Sequence, residues 1–185
     1  MVYVSSGHNA QSKTIKQDPG AVNKQGVKEG DLTIEFRNLI TGELDILGVK
    51  YITDSDEESL AQYLKRIQTG TGSIVLEIHF DASDNATATG CTGLIEGEAD
   101  RLDRAFAKEL TDTNASILGI KNRGVISETE SHRGRLGLMR EEGIICLQEI
   151  CFISNDDDLR RYHLKKRELA KAFALIIQKY EAMLS

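Results

Sequence analysis

The sequence predicts an α/β fold: one domain on a mostly parallel, twisted sheet of about five to six strands, with helices on both faces. Three observations predict it. Short apolar runs alternate with longer segments that repeat apolar residues at helical spacing. The run Ser73-Ile-Val-Leu-Glu-Ile-His-Phe80 is largely apolar, as a central strand covered on both sides should be. A chain of 185 residues, 40% apolar and 28% charged, suffices for one packed core.

Residues 2–7 read as the first strand. Residues 9–28 are polar and glycine-rich, hence loop, and hold the only proline, Pro19. A helix is expected over 29–40, with Leu32, Phe36, Leu39 and Ile40 on its apolar face. At about 100° per residue Glu29 falls inside that apolar arc and points inward, which is unusual for a carboxylate without a partner. Residues 49–53 form a second short strand. Ser55-Asp-Glu-Glu58 has the pattern of a capping box and should open a helix with Leu60, Tyr63, Leu64 and Ile67 on one face. Residues 73–80 are the third strand, 81–90 a loop and 91–95 a short strand. A helix over 98–113 turns Ala99, Leu102, Phe106 and Leu110 inward. Residues 119–142 read as loop with one short strand near 136–139. The last strand covers 144–153. The closing helix, about 157–183, carries the stripe Leu169, Phe173, Ile176, Ile177, Tyr180 and Leu184. In such a sheet function collects at the C-terminal strand ends, where His8 and His79 both fall.

The net charge of −6, from 29 acidic and 23 basic residues, argues against nucleic acid or an anionic membrane as partner. Arg133, Arg135 and Arg140 still form a local basic cluster near one loop. No apolar stretch approaches the length of a membrane span, so no membrane insertion is expected. Cys146 and Cys151, five residues apart in one strand, should face opposite ways. With Cys91 they are read as reduced, buried small hydrophobes of a protein that folds in a reducing compartment. The N-terminus lacks the pattern of an export signal. A monomer is expected.

His8, Glu29 and His79 together offer two imidazoles and a carboxylate, a three-ligand zinc set with an open fourth position. Glu149, in the run Ile-Cys-Leu-Gln-Glu-Ile-Cys-Phe, is a separate carboxylate suited to take a proton from an attacking water. The four are far apart in the chain and form no compact His-Glu-x-x-His pattern, so the site exists only if the fold assembles it. Each alone also fits an ordinary role. A strand-end histidine is commonly a surface residue, Glu29 complements a helix dipole, and Glu149 fits a buried partner for an arginine. Glu77 shares a strand face with His79 and is placed either to orient it or to meet a helix charge. His132 lies in an Arg/Gly/Ser loop, solvated or touching substrate, and His163 is a surface residue. The run Asp156-Asp157-Asp158 is read as helix capping rather than a calcium site.

At these residues the chain resembles the zinc-dependent N-acetylmuramoyl-L-alanine amidases of the amidase_3 type. The resemblance spans almost the whole length. Its segments are Ser6-Gly-His8, Asp18-Pro-Gly-Ala21, Gly26-Val-Lys-Glu29 and Glu77-Ile-His79-Phe-Asp-Ala-Ser83. They continue with Gly90-Cys-Thr, Asn122-Arg-Gly124 and Leu147-Gln-Glu149-Ile-Cys-Phe-Ile-Ser-Asn155. It implies one zinc ion on His8, Glu29 and His79, with Glu149 catalytic. It also implies hydrolysis of the amide between N-acetylmuramic acid and the L-alanine of the peptidoglycan stem peptide. Residues 125–143 depart from the family's pattern, where substrate-facing residues usually lie. Residues 1–185 are expected to be a single catalytic domain with no separate wall-binding domain, similar to a phage or prophage endolysin. Such an enzyme stays in the host cytoplasm until a holin opens the way to the wall. Two alternatives remain at this point: a zinc peptidase or deacetylase on another amide, and a non-catalytic wall-binding module.

Overall fold

The computed structural model describes residues 1–131 and 136–184. Six strands form one sheet: β1 (Val2–Ser6), β2 (Tyr51–Thr53), β3 (Ile74–Asp81), β4 (Cys91–Ile95), β5 (Asn122–Ser127) and β6 (Ile144–Phe152). The helices are α1 (Glu29–Leu47), α2 (Leu60–Arg66), α3 (Arg101–Leu118) and α4 (Asp156–Leu184), with a 3₁₀ turn over Gly137–Arg140. The strand order is β2-β1-β3-β6-β4-β5. Four strands run parallel through β6; β4 is antiparallel to β6, and β5 is parallel to β4. The expected α/β class and mostly parallel sheet are therefore present.

Helices α1, α3 and α4 cover one face. Leu32 and Phe36 of α1, Phe106 of α3 and Phe173 of α4 pack with Val2, Leu76, Ile78 and Cys146 of the sheet. Phe36 meets Phe173 edge-on at 5.6 Å between ring centroids, and Phe80 meets Tyr162 at 4.9 Å. The other face carries Tyr3, Val75, Ile145 and Leu147 and is covered by α2 and the 3₁₀ turn through Tyr63, Ile67, Leu138 and Met139. Among the described residues no helix is long and apolar enough to cross a membrane.

Several expectations need correction. Helix α1 runs past residue 40 to Leu47, because Leu44 continues the buried stripe and Gly48 closes it in a left-handed turn. The capping box of α2 is Ser59 with Gln62; Ser55 and Glu58 form the turn before it, and Leu60 is exposed. Helix α3 starts at Arg101 after the N-cap Asp100, leaving Ala99 outside it and Leu102 exposed. Residues 122–127 are a strand, and 137–140 a 3₁₀ turn rather than a strand.

The cysteines need a correction too. In β6 the partners of His79 and Asp81 are Glu149 and Phe152, so β6 carries one extra residue there. Such a bulge shifts the alternation of side chains. Cys146 and Cys151 consequently enter the same core instead of facing opposite ways. All three cysteines are free and buried.

Candidate metal centre

His8 lies two residues beyond β1, and His79 lies near the end of β3, the neighbouring parallel strand. Glu29 is the first residue of α1. The start of that helix is tied to the preceding loop, whose Ala21 and Pro19 carbonyls accept the Glu29 and Gly30 N–H groups at 2.8 and 2.9 Å. These bonds satisfy donors that a helix N-terminus otherwise leaves open. They also bring the Glu29 carboxylate against both histidines. Its Oε1 is 3.2 Å from His8 Nε2 and 3.0 Å from His79 Nδ1. The same carboxylate accepts the Phe80 N–H at 3.1 Å and the Ala21 N–H at 2.9 Å.

The outer ring nitrogens each face a second carboxylate. His8 Nδ1 is 3.0 Å from Asp18 Oδ2, and His79 Nε2 is 3.0 Å from Glu77 Oε1. Donation of an N–H to each carboxylate fixes the tautomer and leaves the inner nitrogens, His8 Nε2 and His79 Nδ1, as lone-pair donors. One donor atom from each of His8, Glu29 and His79 lies within 4.8 Å of the others. Three oxygen and nitrogen donors converging in this way fit a zinc ion. Gly7 makes room for them: a Cβ there would sit 2.1 Å from the His79 ring.

The site is electrostatically tense without a metal. Burial pulls the pKa of His79 down, but its bonds to Glu29 and Glu77, with the charges of Glu77 and Glu149, outweigh burial and hold it at about 10. His8 is raised in the same sense, its burial outweighed by Glu29 and Asp18. Burial raises Glu29, yet both histidines overcome it and keep the carboxyl well below the usual carboxylate range.

Glu149 is the register partner of His79 on β6 and of Thr92 on β4, and it is buried. It lines a cavity of about 320 Å³ with Asp81, Thr92 and Arg123. The four residues singled out in the sequence thus come to one end of the sheet. Glu77 orients His79, as one of its two expected roles required. Asp18 is a partner that pattern reasoning missed; its only signal is a carboxylate beside Pro19 in a polar loop. His163 is exposed. Asn155 caps α4 by accepting from Asp157 and Asp158 N–H at 3.0 and 3.1 Å. Asp158 also accepts from Thr89 Oγ1 and the Gly90 N–H, tying α4 to the start of β4. Arg140 pairs with Glu96 and Glu128. His132, Arg133 and Arg135 lie outside the described residues.

The fold is shared with proteins of known structure. Among solved structures, an N-acetylmuramoyl-L-alanine amidase from Clostridium difficile 630 superposes with a TM-score of 0.77 at 17% identity, covering 97% of this chain and 95% of that one. A Neisseria meningitidis protein named for the same activity gives 0.74 at 26% identity, covering 96% and 93%. The catalytic domain of the CD27L endolysin, which targets Clostridia difficile, gives 0.73 at 16% identity, covering 96% of each chain. No curated protein matches the sequence. The model of the Amidase_3 family, described as N-acetylmuramoyl-L-alanine amidase, matches residues 2–179. The chain belongs to that family and is an amide hydrolase of peptidoglycan.

Proposed function

We propose that His8, Glu29 and His79 hold one zinc ion and that Glu149 carries the proton in hydrolysis of the bond between N-acetylmuramic acid and L-alanine. The observation that supports this most is the convergence of two imidazole lone pairs and a carboxylate oxygen, each imidazole backed by its own carboxylate. The family is generally zinc-dependent. A bound zinc ion supplies a Lewis acid and makes hydroxide accessible near neutral pH.

The protein's own groups do the rest. Asp18 and Glu77 hold the two imidazoles in the required tautomer, while the Phe80 and Ala21 N–H groups fix the Glu29 carboxylate. Glu149, a strand neighbour of His79, takes a proton from the attacking water. It then gives that proton to the departing nitrogen. The water oxygen bonds to the lactyl carbonyl carbon, the C–N bond breaks, and the stem peptide leaves with a free L-alanine amine. The buried, reduced cysteines support folding in a reducing compartment before the enzyme meets the wall.

The test is purified peptidoglycan with wild type, His79→Ala and Glu149→Gln. Wild type should bind one zinc and release new amino groups without new reducing ends, and chelation should abolish turnover. His79→Ala should lose zinc. Glu149→Gln should keep zinc and lose about 10²- to 10⁴-fold in kcat. Full activity of zinc-loaded Glu149→Gln would overturn the role given to Glu149. Released peptides that do not begin with L-alanine would overturn the substrate.

A further inference from the structure

The cavity at Glu149 continues along the sheet edge. Its neighbour, about 310 Å³, shares Thr92, Arg123 and Ile126 with it and adds Lys121. The two form one trough that leads from Glu149, across Thr92, onto the start of β5. The charges along it are unequal. Among the described residues the Glu149 end is lined by Asp81, Glu130 and Glu149 together with Arg123, whereas the far end has Lys121 and the same Arg123 and no acidic group.

Arg123 sits where the two halves meet. Its guanidinium lies over the Phe152 ring, 5.1 Å from the centroid, and it forms no ion pair among the described residues. The Phe152 ring supports one face of the group and leaves its N–H edge able to donate. Room for the side chain is provided at Gly90, where a Cβ would stand 3.0 Å from Arg123 Cγ. The turn that presents it is fixed by Asn122, which accepts the Gly124 N–H at 2.8 Å and donates to Asp112 at 2.6 Å. An arginine held by an aromatic face and a shaped backbone, with no hydrogen-bond acceptor among the described residues, matches a planar anion such as a carboxylate.

Resting on the amidase reading above, we infer that Arg123, assisted by Lys121, binds a free carboxylate of the leaving stem peptide. The carboxylate is the one carried by the residue after L-alanine. The basic end of the trough receives that group. Arg123 is then a specificity-determining residue, and it distinguishes stem peptides bearing a free acid at that position from those bearing a carboxamide.

The experiment uses two N-acetylmuramoyl peptides that differ only in whether that group is carboxylate or carboxamide. Zinc-loaded wild type should prefer the acid by about 10- to 100-fold in kcat/KM, chiefly through KM. Arg123→Ala should lose the preference, its kcat/KM falling much more on the acid than on the amide, and Arg123→Lys should retain part of it. Zinc content and melting temperature of both variants should equal wild type. Calorimetry on the metal-free protein gives an independent reading, since the free peptide acid should bind wild type more tightly than Arg123→Ala. Equal loss on both substrates in Arg123→Ala, or no preference in wild type, overturns the inference. Failure of wild type to cleave either substrate overturns the amidase reading itself.

Discussion

A buried carboxylate normally needs a reason to stay charged, and Glu29 has four: two imidazoles and two backbone N–H donors. The consequence for pH has a definite sign. In the metal-free protein His79 keeps its proton to about pH 10, against 6.5 when unfolded, so its contribution is full below 6.5 and is lost as pH rises toward 10. Glu29 is shifted the other way from 4.5, so its contribution is full above that value and is lost as pH falls. Chelated protein should therefore melt highest between about pH 5 and 6.5 and weaken on the alkaline side. Saturating zinc, which replaces the proton, should flatten the alkaline limb. A chelated protein whose melting temperature stays level from pH 6 to 10 would contradict this account. At this scale the helix period alone shows that Glu29 turns inward, and the strand ends mark His8 and His79. Asp18 leaves no such trace, because a loop residue's position follows from no period. Arg37 is equally hidden: it is buried and pairs with Asp54 and Asp56, and Asp54 in turn holds Ser6 at the end of β1, just before His8.

Among the elements, α3 shows how a short-range signal decides a boundary. Asp100 accepts the Leu102 and Asp103 N–H groups at 2.6 and 3.0 Å, and Asp103 returns a bond to the Asp100 N–H at 3.0 Å. Asp103 also accepts the Ile145 N–H at 2.8 Å, which joins the helix start to β6. Asp100→Ala should cost about 0.5–2 kcal/mol in chemical denaturation and leave kcat/KM unchanged. A cost too small to measure would mean that the Asp103 bond to β6 sets the helix start on its own. The capping-box pattern is legible but ambiguous around α2, since Ser55–Glu58 and Ser59–Gln62 both satisfy it. Glu58 accepts the Ser55 N–H at 2.7 Å, but Ser55 Oγ accepts from the Glu57 N–H at 3.2 Å instead of from Glu58, so only the second pair closes both bonds and opens the helix. Strand β5 escapes pattern reading because it opens with Asn122-Arg-Gly124 and sits at the sheet edge, where no apolar alternation is demanded. The bulge in β6 is invisible in sequence, as an extra residue alters the phase without altering composition.

For the molecule as a whole, the fold class and the sheet's parallel half follow from alternating apolar periods, while the reversal at β4 does not, because a strand's direction leaves no mark on its own pattern. That reversal puts the beginning of β4 beside the end of β6, which is why the rim around Glu149 draws residues from both. The sulfur atoms follow a different geography. Cys91, Cys146 and Cys151 are all buried, and burial pushes each thiol up, Cys91 to about 12. The candidate donors to the metal are nitrogen and oxygen only. A thiol-specific reagent should label none of the three cysteines in the native protein and all of them after denaturation, and a thiol oxidant should leave activity unaltered. Rapid native labelling would show that the core opens more readily than its packing implies. The molecule thus keeps its softest metal-binding atoms away from the candidate metal centre and from its surroundings. No thiol is within reach of a change in the redox state of the surrounding solution, so the packing of the core and the chemistry at the sheet's end are kept apart.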